Sequence, residues 1–309
     1  MSERSSRLVV EAPFHLEATV RVLQRRPTNP VEWWTGDRYQ RVLRTAGGLA
    51  VVEVEDRGTI DAPDLRLGLW GEGAPATRAR LVATVRRILG LDVDPRPLRR
   101  LVERERCLRS VALALRGMRP PRFADLFEAF ANVVPFQQIS LEAGLAVVGR
   151  LVERFGEVLE RDGKRHRAFP TAGAVAEARI DRLMACGLSR RKAECLRSIA
   201  RAIASGTLRE EAIAAMPTDA AIDALSELPG IGRWSAGLIL LRGFGRLDVF
   251  PPGDVGATRG LGTLTRLDAT ELERLIERAG EFRGYLYFCA LGGSLLERGL
   301  IRAAPPPPA

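Results

Sequence analysis

The run Leu228-Pro-Gly-Ile-Gly-Arg-Trp234, with Asp254 a short way beyond it, carries the clearest chemical signal in the chain. Pro229 stops a helix, and Gly230 and Gly232 permit a tight turn with close backbone approach. A helix starting at Arg233 would point its free N–H groups and positive dipole end out of that turn. Such an end binds a phosphate without reading sequence, and Arg233 can add a charged contact. Taken alone, the turn is equally a good connector between two helices. Asp254 alone reads as the N-cap of a following helix; its chemical alternative is a carboxylate that stabilises a cationic transition state or activates water.

Other reactive side chains are few. The chain holds two histidines, His15 and His166, too few for a histidine metal site or a Ser–His triad. Four cysteines (Cys107, Cys186, Cys195 and Cys289) lie far apart and form no C-x-x-C pair, which weakens zinc, disulfide and iron–sulfur readings alike. Chemistry must then come from carboxylates or the backbone. The formal charge of +9 suits a nucleic-acid partner, because neutralising phosphates releases counterions; an arginine-rich genome would give the same charge without that partner. Lys164 and Lys192 are the only lysines.

Two kinds of element must position these groups. Residues 7–12, 39–45 and 49–55 alternate apolar and polar side chains as half-buried strands do, with Gly47-Gly48 as a hairpin turn. Over 77–89, Leu81, Val82, Val85, Ile88 and Leu89 form one face of a helix that Gly90 ends. From Asp94 onward the pattern is helical, with Pro95 and Pro97 in a first turn. Helices are expected near 123–133, 140–155, 171–178, 180–186, 189–205 and 220–227, then 233–243, 255–260, 269–278 and 285–298. The expected fold is mainly α with an N-terminal α+β domain: a small antiparallel-sheet domain over 1–92, an all-helical region over 93–303, and a disordered proline-rich tail over 304–309. No apolar run approaches the roughly 18–20 residues that span a bilayer, and no secretory signal is visible. The expectation is a cytoplasmic, nucleoid-associated protein with no membrane partner.

The hairpin resembles the helix–hairpin–helix (HhH-GPD) DNA glycosylase superfamily, in particular its bacterial 3-methyladenine DNA glycosylase II branch. There L-P-G-I-G-R-W-[ST]-A is followed by D-V-F-P and an aspartate, matched by Asp248-Val-Phe-Pro251 and Asp254. Gln137-Gln138-Ile139-Ser140, Leu188-Ser-Arg-Arg-Lys-Ala193, Phe169-Pro-Thr171 and Phe282-Arg-Gly-Tyr285 also have counterparts, so the resemblance covers nearly the whole chain. It implies two helical lobes with the active-site cleft between them. It makes Asp254 the catalytic aspartate and puts Trp234, Gln137, Phe136, Leu238, Val255, Tyr285 and Leu291 at the substrate pocket. It gives DNA contacts to Pro229, Gly230, Ile231, Gly232, Arg233 and Ser235, and the wedge that fills the gap of a flipped base to Gln138. No cofactor is required and no iron–sulfur cluster is expected; the main-chain carbonyls of Ser226, Leu228 and Ile231 match the family's structural Na+ or K+ site.

Bifunctional relatives carry a nucleophilic lysine where this chain has Trp234. The resemblance therefore implies a monofunctional glycosylase of base excision repair, without AP-lyase activity. Acting as a monomer on double-stranded DNA, it would flip a damaged, alkylated purine and hydrolyse its N-glycosidic bond with the Asp254 carboxylate. The alternatives are a catalytically silent protein that binds DNA or lesions through the same hairpin, and a bifunctional lyase. Several aromatic positions of the family's pocket are aliphatic here (Leu238, Val255, Leu291), which leaves the lesion range open; Phe136, Tyr285 and Phe288 are the candidate replacements.

Overall fold

Alternating apolar residues and tight turns build an antiparallel sheet from the first part of the chain. The computed structural model describes residues 4–71, 75–161 and 163–306. Strands β1 (Arg4–Leu8), β2 (Trp33–Trp34), β3 (Arg38–Thr45), β4 (Gly48–Asp56) and β5 (Leu65–Trp70) lie in the order β1-β5-β4-β3-β2. The strand expected over 7–12 runs instead at Arg4–Leu8, where it pairs with β5. Nothing in the sequence reading anticipated β5, although Leu65, Leu67 and Leu69 alternate; Gly68 and the preceding Pro63 hid that period. Helix α1 (Leu16–Gln24), also unanticipated, buries Val20 and Leu23 in the core it shares with the sheet.

Helices follow in series: α2 (Pro75–Ile88), α3 (Pro95–Arg104), α4 (Arg109–Ala114), α5 (Leu126–Ala131) and α6 (Leu141–Phe155). After a short hairpin come α7 (Ala172–Ala176), α8 (Ile180–Met184), α9 (Arg190–Ala204), α10 (Glu210–Ala214) and α11 (Thr218–Ser226). The last are α12 (Arg233–Ile239), α13 (Val255–Thr265), α14 (Ala269–Ala279) and α15 (Arg283–Glu297). Many starts are those the capping residues dictate. Asp94, Ser140, Thr171, Ser189 and Asp268 each accept a backbone N–H from the first turn of the helix they precede.

Two expectations need correction. The region over 93–303 is not all-helical: β6 (Val158–Arg161) and β7 (Lys164–Arg167) form a hairpin between α6 and α7. Its strands are four residues long and rich in charge, too short and too polar for period two to register in sequence. Ala168, just after β7, forms an isolated parallel bridge with Val42 of β3, which links this segment to the N-terminal sheet. The tail is also not free from 304 onward. The Ala304 N–H donates to the Ala114 carbonyl at the end of α4 (2.8 Å), and Arg116 donates to the Pro305 carbonyl (3.2 Å). A helix C-terminus leaves carbonyls without intrahelical partners, and this one takes the tail. Residues 307–309 lie outside those described.

Sheet and helices share one core, which includes Phe14 and Val54 from the first part and Leu183 and Leu286 from the second. A buried ionic cluster joins them as well. The Arg41 guanidinium on β3 binds the carboxylates of Glu32 and of Glu128 on α5, and the Tyr39 hydroxyl donates to Glu32 (2.5 Å). No helix among the described residues is long and apolar enough to cross a membrane.

Candidate active site

The hairpin expected from Pro229-Gly-Ile-Gly232 forms between α11 and α12. Gly230 adopts a left-handed backbone (φ 87°), and a Cβ there would lie 2.9 Å from the Cys195 sulfur of α9; only glycine suits both demands. Burial pushes the Cys195 thiol up to about 11, so this cysteine is packing and not a nucleophile. Gly232 is the N-cap of α12 and has no side chain to satisfy the helix's free N–H groups. Pro229, Gly232 and Arg233 are exposed and Ile231 is buried beneath the turn. Arg233 is already paired with the exposed Asp223 on α11 (2.7 Å).

Asp254 is the helix cap its position suggested, and its second oxygen makes a further bond. It caps α13, with Oδ1 accepting the Ala257 N–H (2.8 Å), while Oδ2 accepts the indole N–H of Trp234 (2.9 Å). The two bonds fix the carboxylate's orientation and still leave each oxygen a free lone pair. Its open side faces a cavity of about 1190 Å³, also lined by Phe136, Gln137, Gln138, Trp234, Leu238, Val255 and Leu291. A space of that size accommodates a purine together with its sugar.

The two glutamines have different positions. The Gln137 amide donates to the Gly230 carbonyl (2.8 Å) and to the Ser235 hydroxyl (3.0 Å), locking this loop to the hairpin. Ser235, expected as a DNA contact, is buried in that bond. Gln138 is exposed and left-handed (φ 57°), which turns it away from its neighbour and out of the loop. Lys192 of α9 holds the loop from behind, donating to the carbonyls of Pro135 (3.0 Å) and Gln137.

Tyr285 is not in this cavity. It lines a separate cavity with Met118 and Arg119, and the residue that reaches the candidate site is Tyr287. Two positions on a helix differ by about 200°, so a tyrosine pair spaced this way cannot share a face, and sequence alone did not reveal which face α15 turns inward. Phe288 is likewise fully buried and absent from the lining. Sequence reasoning also missed Arg25, at the C-terminal end of α1, which belongs to the lining. Ile139, Leu141 and Val255 are exposed apolar side chains on the same rim. The run from 137 to 141 could have suggested the first two, whereas nothing in the sequence distinguishes Arg25 from the other arginines.

For the cation site, Ser226 ends α11 and Leu228 and Ile231 belong to the turn after it. The Leu228 carbonyl accepts the Ile231 N–H (3.0 Å) and retains a second lone pair. Among the described residues no cluster of His, Cys, Asp or Glu could hold a metal.

Two family models match the chain: the AlkA N-terminal domain over residues 5–125, and the HhH-GPD superfamily base excision DNA repair protein over 132–282. The chain is 30% identical over 258 residues to the protein named probable bifunctional transcriptional activator/DNA repair enzyme AlkA of Mycobacterium tuberculosis, covering 82% of this chain and 49% of that one. It thus spans about half the length of that relative. It is 28% identical to DNA-3-methyladenine glycosylase 2 of Escherichia coli, over 89% of this chain and 92% of the relative. The 3-methyladenine DNA-glycosylase structure from Archaeoglobus fulgidus superposes with a TM-score of 0.76 at 25% identity, over 95% of this chain and 99% of that one. The hairpin between α11 and α12, the aspartate that caps α13 and the sheet ahead of the helices are thus parts of one known architecture: the chain belongs to the HhH-GPD superfamily of base excision DNA repair proteins.

Proposed function

We propose that this protein is a monofunctional DNA glycosylase of base excision repair, which extrudes a damaged, alkylated purine from duplex DNA and hydrolyses its N-glycosidic bond. One observation carries the reading: the Asp254 carboxylate, oriented by the Trp234 indole and the Ala257 amide, faces a cavity of purine size. Cleavage of the glycosidic bond builds an oxocarbenium-like sugar. A fixed anion beside C1′ stabilises that charge and can draw a proton from the attacking water. The exposed α12 N-terminus supports a phosphate contact, and exposed Arg191 and Arg259 beside the cavity add positive charge. Gln138, with Ile139 next to it, is the wedge that occupies the space the base vacates. A Na+ or K+ held by the carbonyls of Ser226, Leu228 and Ile231 would stiffen the turn.

Product analysis on duplexes bearing single lesions tests the reaction. The expected products are free base and an intact abasic strand that breaks only on alkali treatment. An Asp254→Asn protein with full excision activity would rule out this mechanism. A specific observation keeps the lyase reading in play: Lys192 lines the cavity, although its amine is engaged by two carbonyls. Borohydride trapping distinguishes the two, because a covalent adduct lost in Lys192→Met would establish lyase chemistry and its absence supports hydrolysis.

A further inference from the structure

The cavity beside Asp254 is larger than the proposed reaction requires. At about 1190 Å³ it exceeds the roughly 300–1,000 Å³ of an ordinary small-molecule site. Much of its lining lies along the seam between α13 and α15. Tyr287, Ala290, Leu291 and Ser294 of α15 recur at three- and four-residue spacing, so they form one stripe. That stripe runs about 10 Å along the helix. Facing it, α13 contributes Gly260, Thr263 and Leu264. Small residues let the two helices close on one another: a Cβ at Gly260 would meet the Ala290 Cβ at 3.5 Å, and one at Gly293 would collide with Leu264. These two pairings mean that the helices run side by side in the same sense. The near end of the groove is therefore at Asp254 and Tyr287, and its far end opens between the exposed Thr263 and Ser294. None of these groove residues of α13 and α15 is charged, and none holds a buried polar side-chain atom without a hydrogen bond. The Thr263 hydroxyl already donates to the Arg259 carbonyl (3.1 Å).

An aliphatic groove that opens from a base-sized site suits an apolar chain borne by that base. We propose that the preferred lesions are purines whose N-alkyl group is longer than methyl, with the chain lying between α13 and α15 against Leu264, Ala290 and Leu291. The proposal rests on the glycosylase reading above and narrows its substrate class. Alkylation at a ring nitrogen gives the same cationic leaving group whether the substituent is methyl or propyl, so chain length changes the fit in the groove and hardly the chemistry at C1′. A chain seated there leaves water for aliphatic carbon, and each buried CH2 is worth about a 4-fold gain in binding. Below saturation that gain reaches the rate of release.

The experiment measures base release from duplex DNA alkylated with dimethyl, diethyl or dipropyl sulfate. The protein is kept below saturation, the released purines are separated chromatographically, and each rate is divided by the spontaneous loss of the same base. The wild type is expected to gain about 4-fold from methyl to ethyl and again from ethyl to propyl. Leu291 is half-buried, and Leu291→Trp fills the groove with a flat ring. That variant is expected to abolish the rise and lower the propyl-to-methyl ratio about 10-fold or more. Leu291→Phe carries the same comparison if the tryptophan variant does not fold. A folded Leu291→Trp protein that keeps the wild-type ratio overturns the proposal. A wild type that releases methylated purines without any rise toward propyl overturns this inference and leaves the glycosylase reading standing; one that releases no base from any of the three substrates overturns both.

Discussion

The two walls of the cleft are built on opposite rules. On the hairpin side every polar group that matters has a partner: Asp254 has Trp234 and Ala257, and Gln137 has Gly230 and Ser235. On the α1 side, Arg25 brings a buried guanidinium into the lining and leaves a nitrogen unpaired. A satisfied network holds atoms in place, which suits a group that must meet a transition state; an unsatisfied one waits for an acceptor. One wall is fixed by its own hydrogen bonds, and the other carries a buried donor without one.

The largest test of that contrast is Asp254→Asn. Asparagine still caps a helix, so α13 should keep its start and unfolding should shift by less than about 1 kcal/mol. Excision should nevertheless fall about 10³-fold, the range seen when one transition-state stabiliser is removed. A variant equally active, or one that loses rate only because it unfolds, would erase the distinction.

Next comes acid. His15 sits at the N-terminus of α1, the helix whose other end carries Arg25, and burial, with Arg116 adding to it, pushes its pKa down to about 4 from 6.5. Between these values the unfolded chain binds a proton that the folded protein refuses. Stability is therefore full above pH 6.5 and falls as the pH drops toward 4, by at most about 3 kcal/mol. Chemical denaturation across this window should show the loss in the wild type and a flatter profile in His15→Asn; identical profiles would remove His15 from the account.

A smaller effect is expected from Trp234→Phe, which keeps an aromatic ring but deletes the N–H that reaches Asp254. Single-turnover excision should drop about 10-fold with little change in melting temperature. No loss of rate would mean that the capping bond alone orients the carboxylate. The smallest effect, and one of opposite sign, concerns Arg242. Burial holds its pKa down to about 10, so its charge is a net cost to the fold. Arg242→Met should raise stability by about 1–2 kcal/mol in urea titrations. A destabilised variant would show that stacking on Phe123 and Phe288 outweighs that cost.

The sequence was most readable on the reactive wall, for a physical reason. A tight turn demands glycine and proline within a few residues, and a cap demands a short polar side chain at a helix start, so Pro229-Gly-Ile-Gly232 and Asp254 are local signals. Their chemical meaning came from resemblance to a family, since the cap reading of Asp254 was sufficient by itself. The rest of the lining is assembled from distant segments: Arg25 from the end of α1, Phe136 from the loop before α6, Tyr287 from α15. Nothing local marks Arg25, and the choice of Tyr285 over Tyr287 was a choice of helix face that only packing decides. The β6–β7 hairpin escaped for want of length, and β5 because its glycine read as a break.

The bridge from Val42 to Ala168, together with the Arg41 cluster and the Arg26 bond to the Leu145 carbonyl (3.3 Å), has a mechanical consequence. Each fastening ties the N-terminal sheet or the end of α1 to the helices; two sit on the neighbouring residues Arg41 and Val42 of β3, and the third follows α1. Fastenings at two separate places, added to the shared core, resist swinging of the first part of the molecule. The part of the cleft beside the end of α1 then behaves as the fixed arm of a clamp, and in the proposed reaction the bending that exposes a base falls on the DNA.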